Sequence, residues 1–196
     1  MAQPKIIGIL AREGLKATED LALKIIDRLH SLGFTVVTVC PLKHRSAEFV
    51  NSVINLKRKR VDILLTVGGD GTIIKAMRDL DDETPVLGVA AGGRGVMAEV
   101  RPDEFHKALE KLRKGEYILD RRMKLITIID SKKLPPALNE VLFIRRGYTV
   151  TPTYTISIRK RVKLSQRMDG LMISTPTGST GHSYTLGSPV ITELLD

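Results

Sequence analysis

The chain has 196 residues, 42% hydrophobic and 27% charged, and 31 Lys+Arg against 22 Asp+Glu leave a formal net charge of +9. This length holds one or two domains with apolar residues enough for a core, which argues against disorder, and no apolar run approaches the roughly 20 residues of a membrane-spanning helix. With no tryptophan and 4% aromatic residues, the chain is poorly equipped to read single-stranded bases by stacking, so its positive charge points to other polyanions, including phosphorylated metabolites.

Met1-Ala2-Gln3-Pro4-Lys5 leads directly into an apolar strand at 6–10, without the longer stretch and cleavage site of a signal peptide, so a soluble, cytoplasmic protein is expected. Leu21, Ile25, Ile26, Leu29 and Leu32 recur at helical spacing behind Thr18, the expected N-cap, and Gly33 ends that helix. Residues 34–39 read as a second strand. Cys40, the single cysteine, excludes an internal disulfide and a cysteine-rich zinc site and reads as a small buried apolar residue. Phe49, Val50, Val53 and Ile54 mark a second amphipathic helix whose expected end carries Lys57-Arg58-Lys59-Arg60, a solvated terminus that complements the helix dipole. Residues 61–67 form another buried strand. The order βαβαβ predicts parallel strands joined by right-handed crossovers, and hence a doubly wound parallel-sheet α/β domain. A polar loop follows (Asp79, Asp81, Asp82, Glu83, Pro85), then a strand at 86–89. Pro102, Asp103 and Glu104 open a helix that contains Phe105, Leu109 and Leu112 and closes at Gly115.

Beyond Gly115 helical periodicity disappears. Strand-like segments at 123–129, 139–144 and 154–158 predict a β-rich second domain, with boundaries at 1–115 and 116–196. Thr153, Thr155, Ser157 and Arg159 alternate with Tyr154, Ile156, Ile158 and Lys160, the pattern of a half-exposed strand with an imperfect end. Pro135-Pro136 and Arg145-Arg146-Gly147 read as turns. The tyrosines Tyr148, Tyr154 and Tyr184 are scattered, without the basic and aromatic interleaving of a nucleic-acid platform.

Three segments carry chemistry. Gly68-Gly69-Asp70-Gly71-Thr72 stands after a strand and before a helix bearing Ile73, Ile74 and Met77. Glycines there permit positive φ and close backbone approach, so amides can face an anion beside the positive end of the helix. A carboxylate in a pure phosphate cradle would repel its ligand, so Asp70 points to a hydroxyl held next to the phosphates, unless it merely caps the helix. The Walker spacing and the dinucleotide fingerprint are both absent. Asn139-Glu140 is, by itself, a solvated strand end, since neighbouring strand residues face opposite sides unless a bend redirects one. Asp169-Gly170 begins a short apolar strand that runs into Ser174-Thr175-Pro176-Thr177-Gly178-Ser179-Thr180-Gly181-His182-Ser183. Its hydroxyls and amides suit ribose and phosphate oxygens, Ser179 or Thr180 can N-cap a following helix, and His182 reads as a polar residue at a helix start or a ring against a base.

In this order the three segments resemble the NAD kinase (ATP-NAD kinase) family; the glycine-aspartate turn alone is shared with lipid and phosphofructo-kinases. The resemblance implies ATP-dependent phosphorylation of the adenosine-ribose 2'-hydroxyl of NAD, giving NADP, by an α/β domain joined to a β-rich domain with the site between them. It places Asp70 beside that hydroxyl as the catalytic residue and the backbone of Gly68, Gly69 and Gly71, with Thr72, near the phosphates. It assigns Asn139 and Glu140 to the NAD adenosine. Asp169, Ser174, Thr177, Gly178, Ser179, Thr180 and His182 line the same pocket. Phosphoryl transfer needs positioning and charge neutralisation more than covalent help. Mg2+ is expected to arrive with ATP, without a protein-bound metal cage.

The chain departs from the family pattern at Ala90, Arg94 and Val96, where asparagine, leucine and phenylalanine are frequent. It departs also at Gly181-His182 and Gly187-Ser188-Pro189, and in stopping at Asp196, before several further strands of the family, as a truncated chain would. The expected partners are NAD and ATP or polyphosphate, with no nucleic acid and no membrane, and a further copy of the chain in a dimer or tetramer. The alternatives are a non-catalytic nucleotide-binding paralogue or fragment, and a diacylglycerol- or sphingosine-type lipid kinase.

Overall fold

A computed structural model describes residues 3–39, 42–80, 83–92, 95–147 and 149–193. The readings of Met1, Ala2, Cys40, Asp81, Asp82, Arg94 and Tyr148 lie outside the described residues. The chain forms two compact units, Met1–Asp120 and Arg121–Asp196.

The first unit is built on β1 (Ile6–Ala11), β2 (Thr35–Val39), β3 (Glu48–Val50), β4 (Ile63–Gly68) and β5 (Val86–Ala90), in the order β3-β2-β1-β4-β5 and parallel throughout. Every residue of β4 is buried, as a strand covered on both faces must be. Ile7, Ile9, Ile63, Leu65 and Val67 meet Ile25, Ile26 and Leu29 of α1 (Lys16–Ser31) and Phe105, Leu109 and Leu112 of α3 (Phe105–Lys114). The alternate residues Leu10, Val37, Val39 and Leu64 pack with Leu56 and with Ala76 of α2 (Asp70–Asp79). The sheet is therefore doubly wound. Full burial of an isoleucine or leucine contributes roughly 1.5–3 kcal/mol, so these two layers hold the unit together. Gly115, at φ 73°, closes α3 in the left-handed conformation common at helix ends.

Two local expectations are corrected. Thr18 is not an N-cap: α1 begins at Lys16 behind an extended Leu15, and Thr18 lies inside the helix, 1% exposed. The second amphipathic helix is instead β3 followed by a 3-10 helix, Val53–Lys59. Val53 and Leu56 are buried while Ile54 is 64% exposed, and a spacing of three residues suits the tighter helix. Phe49 and Val50 pair with Thr38 and Val39 of β2. The basic run does lie at a helix end, with Arg60 left-handed at φ 50°.

The second unit holds short antiparallel ladders: β6 (Ile128–Ile129) with β7 (Lys132–Lys133), β8 (Glu140–Ile144) with β11 (Gly170–Ser174), and β9 (Thr153–Ile158) with β10 (Arg161–Arg167). The strand expected over 123–129 shrinks to β6 and a single bridge from Leu125 to Ala137. Pro135 and Pro136 run on without a turn; the turns fall at Asp130-Ser131 and Arg159-Lys160, all four at positive φ. Arg159 and Lys160 are thus a hairpin loop and not a strand end. Among the described residues of this unit one apolar side chain, Leu138, is fully buried. No helix among the described residues is long and apolar enough to cross a membrane.

Candidate functional site

In the first unit the sheet order reverses at β1 and β4, and the carboxyl ends of those strands carry Arg12 and the glycine turn. Open α/β sheets bind ligands at this switch point. A cavity of about 400 Å³ lies there, with Arg12, Glu13, Gly69, Gly71, Thr72 and Lys75 on its walls. Arg12 donates its N–H to the Val67 carbonyl at 2.9 Å, which fixes its backbone beside the turn. Lys75 and Glu13 form an ion pair at 3.7 Å, both 60% exposed. Sequence reading missed Arg12 and Lys75. The first sits just past a strand of the parallel sheet and the second one helical turn beyond Gly71, the placement that could have singled them out.

None of the motif glycines has the positive φ expected of it. They supply space instead: Gly68 is where the Thr72 side chain packs, whereas the positions over Gly69 and Gly71 are open. Asp70 is the first residue of α2, with Gly69 as an N-cap that makes no side-chain bond, so the helix-capping reading fails. Its carboxylate turns instead to residues 95–98. Oδ2 accepts the Val96 N–H at 2.8 Å, and Oδ1 accepts those of Met97 and Ala98 at 3.0 and 3.1 Å.

In the second unit Asn139 and Glu140 are half-buried, and Asn139 Oδ1 and Glu140 Oε2 are buried without a hydrogen-bond partner. This overturns the solvated strand end. Glu140 opens β8 opposite Ser174 of β11, and Asn139 sits in the bend before it. Thr175, fully buried, joins the two segments: its N–H donates to the Asn139 carbonyl at 2.8 Å, its hydroxyl to Leu138 at 2.6 Å, and its Oγ1 accepts the Gly178 N–H at 3.1 Å. Gly178 lies so near Asn139 that a Cβ would overlap that carbonyl.

The hydroxyl turn is thereby brought against Asn139, but several of its hydroxyls have protein partners. Thr177 donates to Glu193, which also receives Arg122 Nη1 at 2.8 Å. Ser179 Oγ donates to the Pro176 carbonyl at 2.7 Å and accepts the Ile191 N–H at 2.9 Å. Ser174 Oγ reaches the Asn139 carbonyl at 3.3 Å. Thr180 and His182 are exposed. His182 opens a short helix, α4 (His182–Thr185), capped by Gly181 without any bond from Ser179 or Thr180, so the capping expected of those two is not made. Asp169 stands apart at the opposite end of the β8–β11 ladder, about 16 Å along the strand at ~3.3 Å per residue, paired with Arg145 at 2.9 Å.

Among the described residues no three His, Cys, Asp or Glu side chains group as a metal would require. On the wall of the first unit's cavity Glu13 faces Lys75, and the Asp70 oxygens, turned to the loop at 96–98, face amides; neither offers a donor set that fits a protein-held Mg2+.

The ATP-NAD kinase N-terminal domain matches residues 7–117, and the ATP-NAD kinase C-terminal domain matches residues 138–196. The chain belongs to the ATP-NAD kinase family. An NAD kinase of Thermococcus kodakarensis is 36% identical over 195 residues, covering 96% of this chain and 69% of that protein. One from Methanothermobacter thermautotrophicus is 32% identical, covering 94% of this chain and 65% of its own length. The chain thus spans about two thirds of these family members. A yeast NADH kinase complexed with NADH shares the fold with a TM-score of 0.84 at 20% identity, covering 100% of this chain and 64% of that one. An NAD kinase from Archaeoglobus fulgidus in complex with ATP does so at 0.74 and 22%, covering 97% and 68%. The family match at 138–196 reaches well past the glycine-aspartate turn that lipid kinases share.

Proposed function

We propose that the chain is an NAD kinase, transferring the γ-phosphoryl group of ATP to the 2'-hydroxyl of the NAD adenosine ribose. A bond forms between the 2'-oxygen and the γ-phosphorus, the bond from the bridging oxygen to the γ-phosphorus breaks, the hydroxyl proton passes to solvent, and ADP and NADP leave. The observation that carries this reading is the pair of orphaned acceptors, Asn139 Oδ1 and Glu140 Oε2, beside the hydroxyl turn. Buried polar atoms are almost always partnered, so these two call for a ligand that brings donors, and an adenosine amino group and ribose hydroxyls are such donors.

Asp70 takes the acceptor hydroxyl and orients it. Arg12, Lys75 and the first-turn amides of α2 take the donor phosphates, with the helix dipole favouring their charge. Charge neutralisation beyond that of Arg12 and Lys75 would be the contribution of Mg2+ arriving with ATP, and no residue of the chain is assigned to hold it. Gly68, Gly69, Gly71 and Thr72 shape the donor side, and Ser174, Thr177, Gly178, Ser179, Thr180 and His182 the adenosine side; Asp169, held by Arg145, acts at most on its edge. The reading includes a cytoplasmic location and self-association. Exposed Ile144, Ile158, Val162 and Ile173 on the two-stranded ladders support the latter, since single ladders leave unpaired edges and apolar faces.

The test is Asn139→Ala. Titration calorimetry is expected to show NAD affinity falling at least tenfold with ATP affinity unchanged. Equal NAD affinity in the two proteins would remove Asn139 from the site.

A further inference from the structure

The loop at residues 95–98 folds back over the end of β5, where the Ala90 and Val100 backbones pair, and it meets α2 in two ways: Met97 and Ala98 pack with Ile73 and Met77, and the amides of 96–98 meet Asp70. A carboxylate offers about four lone-pair positions, and here three are filled by consecutive amides. Oδ1 accepts two N–H groups and Oδ2 accepts one, which leaves a single acceptor position on Oδ2. The loop side is equally constrained. Gly95 lies directly against the carboxylate, and a Cβ there would overlap Asp70 Oδ1. Val96, next along, projects into solvent with 72% of its surface exposed. An acid that only had to meet a hydroxyl would not need three amides of a distant loop. Apolar packing of Met97 and Ala98 anchors the loop on α2, but it does not turn three successive N–H groups to one point; a fixed anion does.

We propose that Asp70 is, besides its contact with the hydroxyl, a positioning residue that clamps residues 95–98, with Gly95 as the position that admits the carboxylate. The clamp holds the loop in one shape and aims the remaining Oδ2 lone pair, so that the acceptor hydroxyl meets an oxygen already fixed in direction. Asp70→Asn is then not a conservative change: it removes one acceptor oxygen and turns an NH2 group toward an amide N–H. Orientation of this sort acts on the chemical step more than on binding of the donor.

The inference rests on the kinase reading, and the experiment separates the two. Amide hydrogen exchange at Val96, Met97 and Ala98 is measured without nucleotides on the unaltered chain, Gly95→Ala and Asp70→Asn. NAD phosphorylation is followed in parallel. The clamp predicts exchange at least tenfold faster at these amides in both variants, kcat lowered at least a hundredfold in Gly95→Ala although its carboxylate is intact, and KM for ATP within threefold. Unchanged exchange in Gly95→Ala overturns the proposal, as does faster exchange with full kcat. A melting midpoint near that of the unaltered chain excludes general unfolding. Were Gly95→Ala to melt early, the exchange and kcat of Asp70→Asn decide, by the same criteria. If the unaltered chain makes no NADP, the kinase reading falls and the clamp is judged on exchange together with NAD affinity, where equal affinity in Gly95→Ala overturns it.

Discussion

Gly178 and Asp103 show how far apart in weight two single residues can stand. At Gly178 a methyl group would enter space held by the Asn139 carbonyl, and overpacking of this kind costs about 1–3 kcal/mol. Gly178→Ala is therefore expected to lower the urea midpoint of the second unit's unfolding and, by moving Asn139, to weaken NAD binding with it. An unchanged midpoint would show that the bend at Asn139 yields freely. Asp103 is the contrasting case. Its hydrogen bond from Arg101 Nε, at 3.0 Å, holds its carboxyl below the ordinary range, but both side chains are more than half exposed. A depressed carboxyl contributes stability above its unfolded value, and that contribution is lost as pH falls through the lowered folded value. The difference in urea midpoint between the unaltered chain and Asp103→Asn is expected to be small at pH 7, to vanish in acid, and to disappear in high salt. A difference that persists in acid would assign the effect to something other than this charge. The glycine-aspartate turn was plain in the sequence as a strand-turn-helix junction, and it stands between β4 and α2. Arg12, Lys75 and the amides at 96–98 were not plain there, because only the sheet order brings β1 beside β4 and only the folded loop brings residue 96 to residue 70.

Elements in the first unit were legible where the apolar period was strong. The strands at 6–10, 34–39, 61–67 and 86–89 and the helices around Ile25 and Leu109 all form, since continuous apolar runs and 3.6-residue stripes have few other ways to bury themselves. The misread stretch at 49–59 carries five apolar residues too closely spaced to decide between strand and helix, and pairing with β2 decided it. In the second unit the signal was weaker because burial is slight, and turn chemistry was unconventional. The β9–β10 hairpin turns on Arg159 and Lys160, both left-handed at φ 50° and 63°, where Asn-Gly is the favoured pair. Replacing the two with Asn-Gly is expected to raise the melting midpoint by an amount corresponding to roughly 1 kcal/mol, since left-handed conformations cost residues with a Cβ about that much. A lower midpoint would mean that the two basic side chains make contacts worth more than the strain.

At the scale of the whole molecule, two family domains account for residues 7–117 and 138–196. The positive charge of +9 suits the two polyphosphate substrates proposed for the chain. The exposed apolar side chains of the second unit's ladders belong to the same scale, and sedimentation at micromolar concentration reads whether copies of the chain cover them. The measurement that bears most directly on the account is turnover itself. The chain is incubated with NAD, ATP and Mg2+, and NADP is read with an NADP-specific dehydrogenase. The account predicts NADP and ADP in equal amounts, none without ATP, and at least a hundredfold less from Gly95→Ala. Saturable NAD binding with no NADP formed, or phosphorylation of a lipid alcohol in its place, would contradict it.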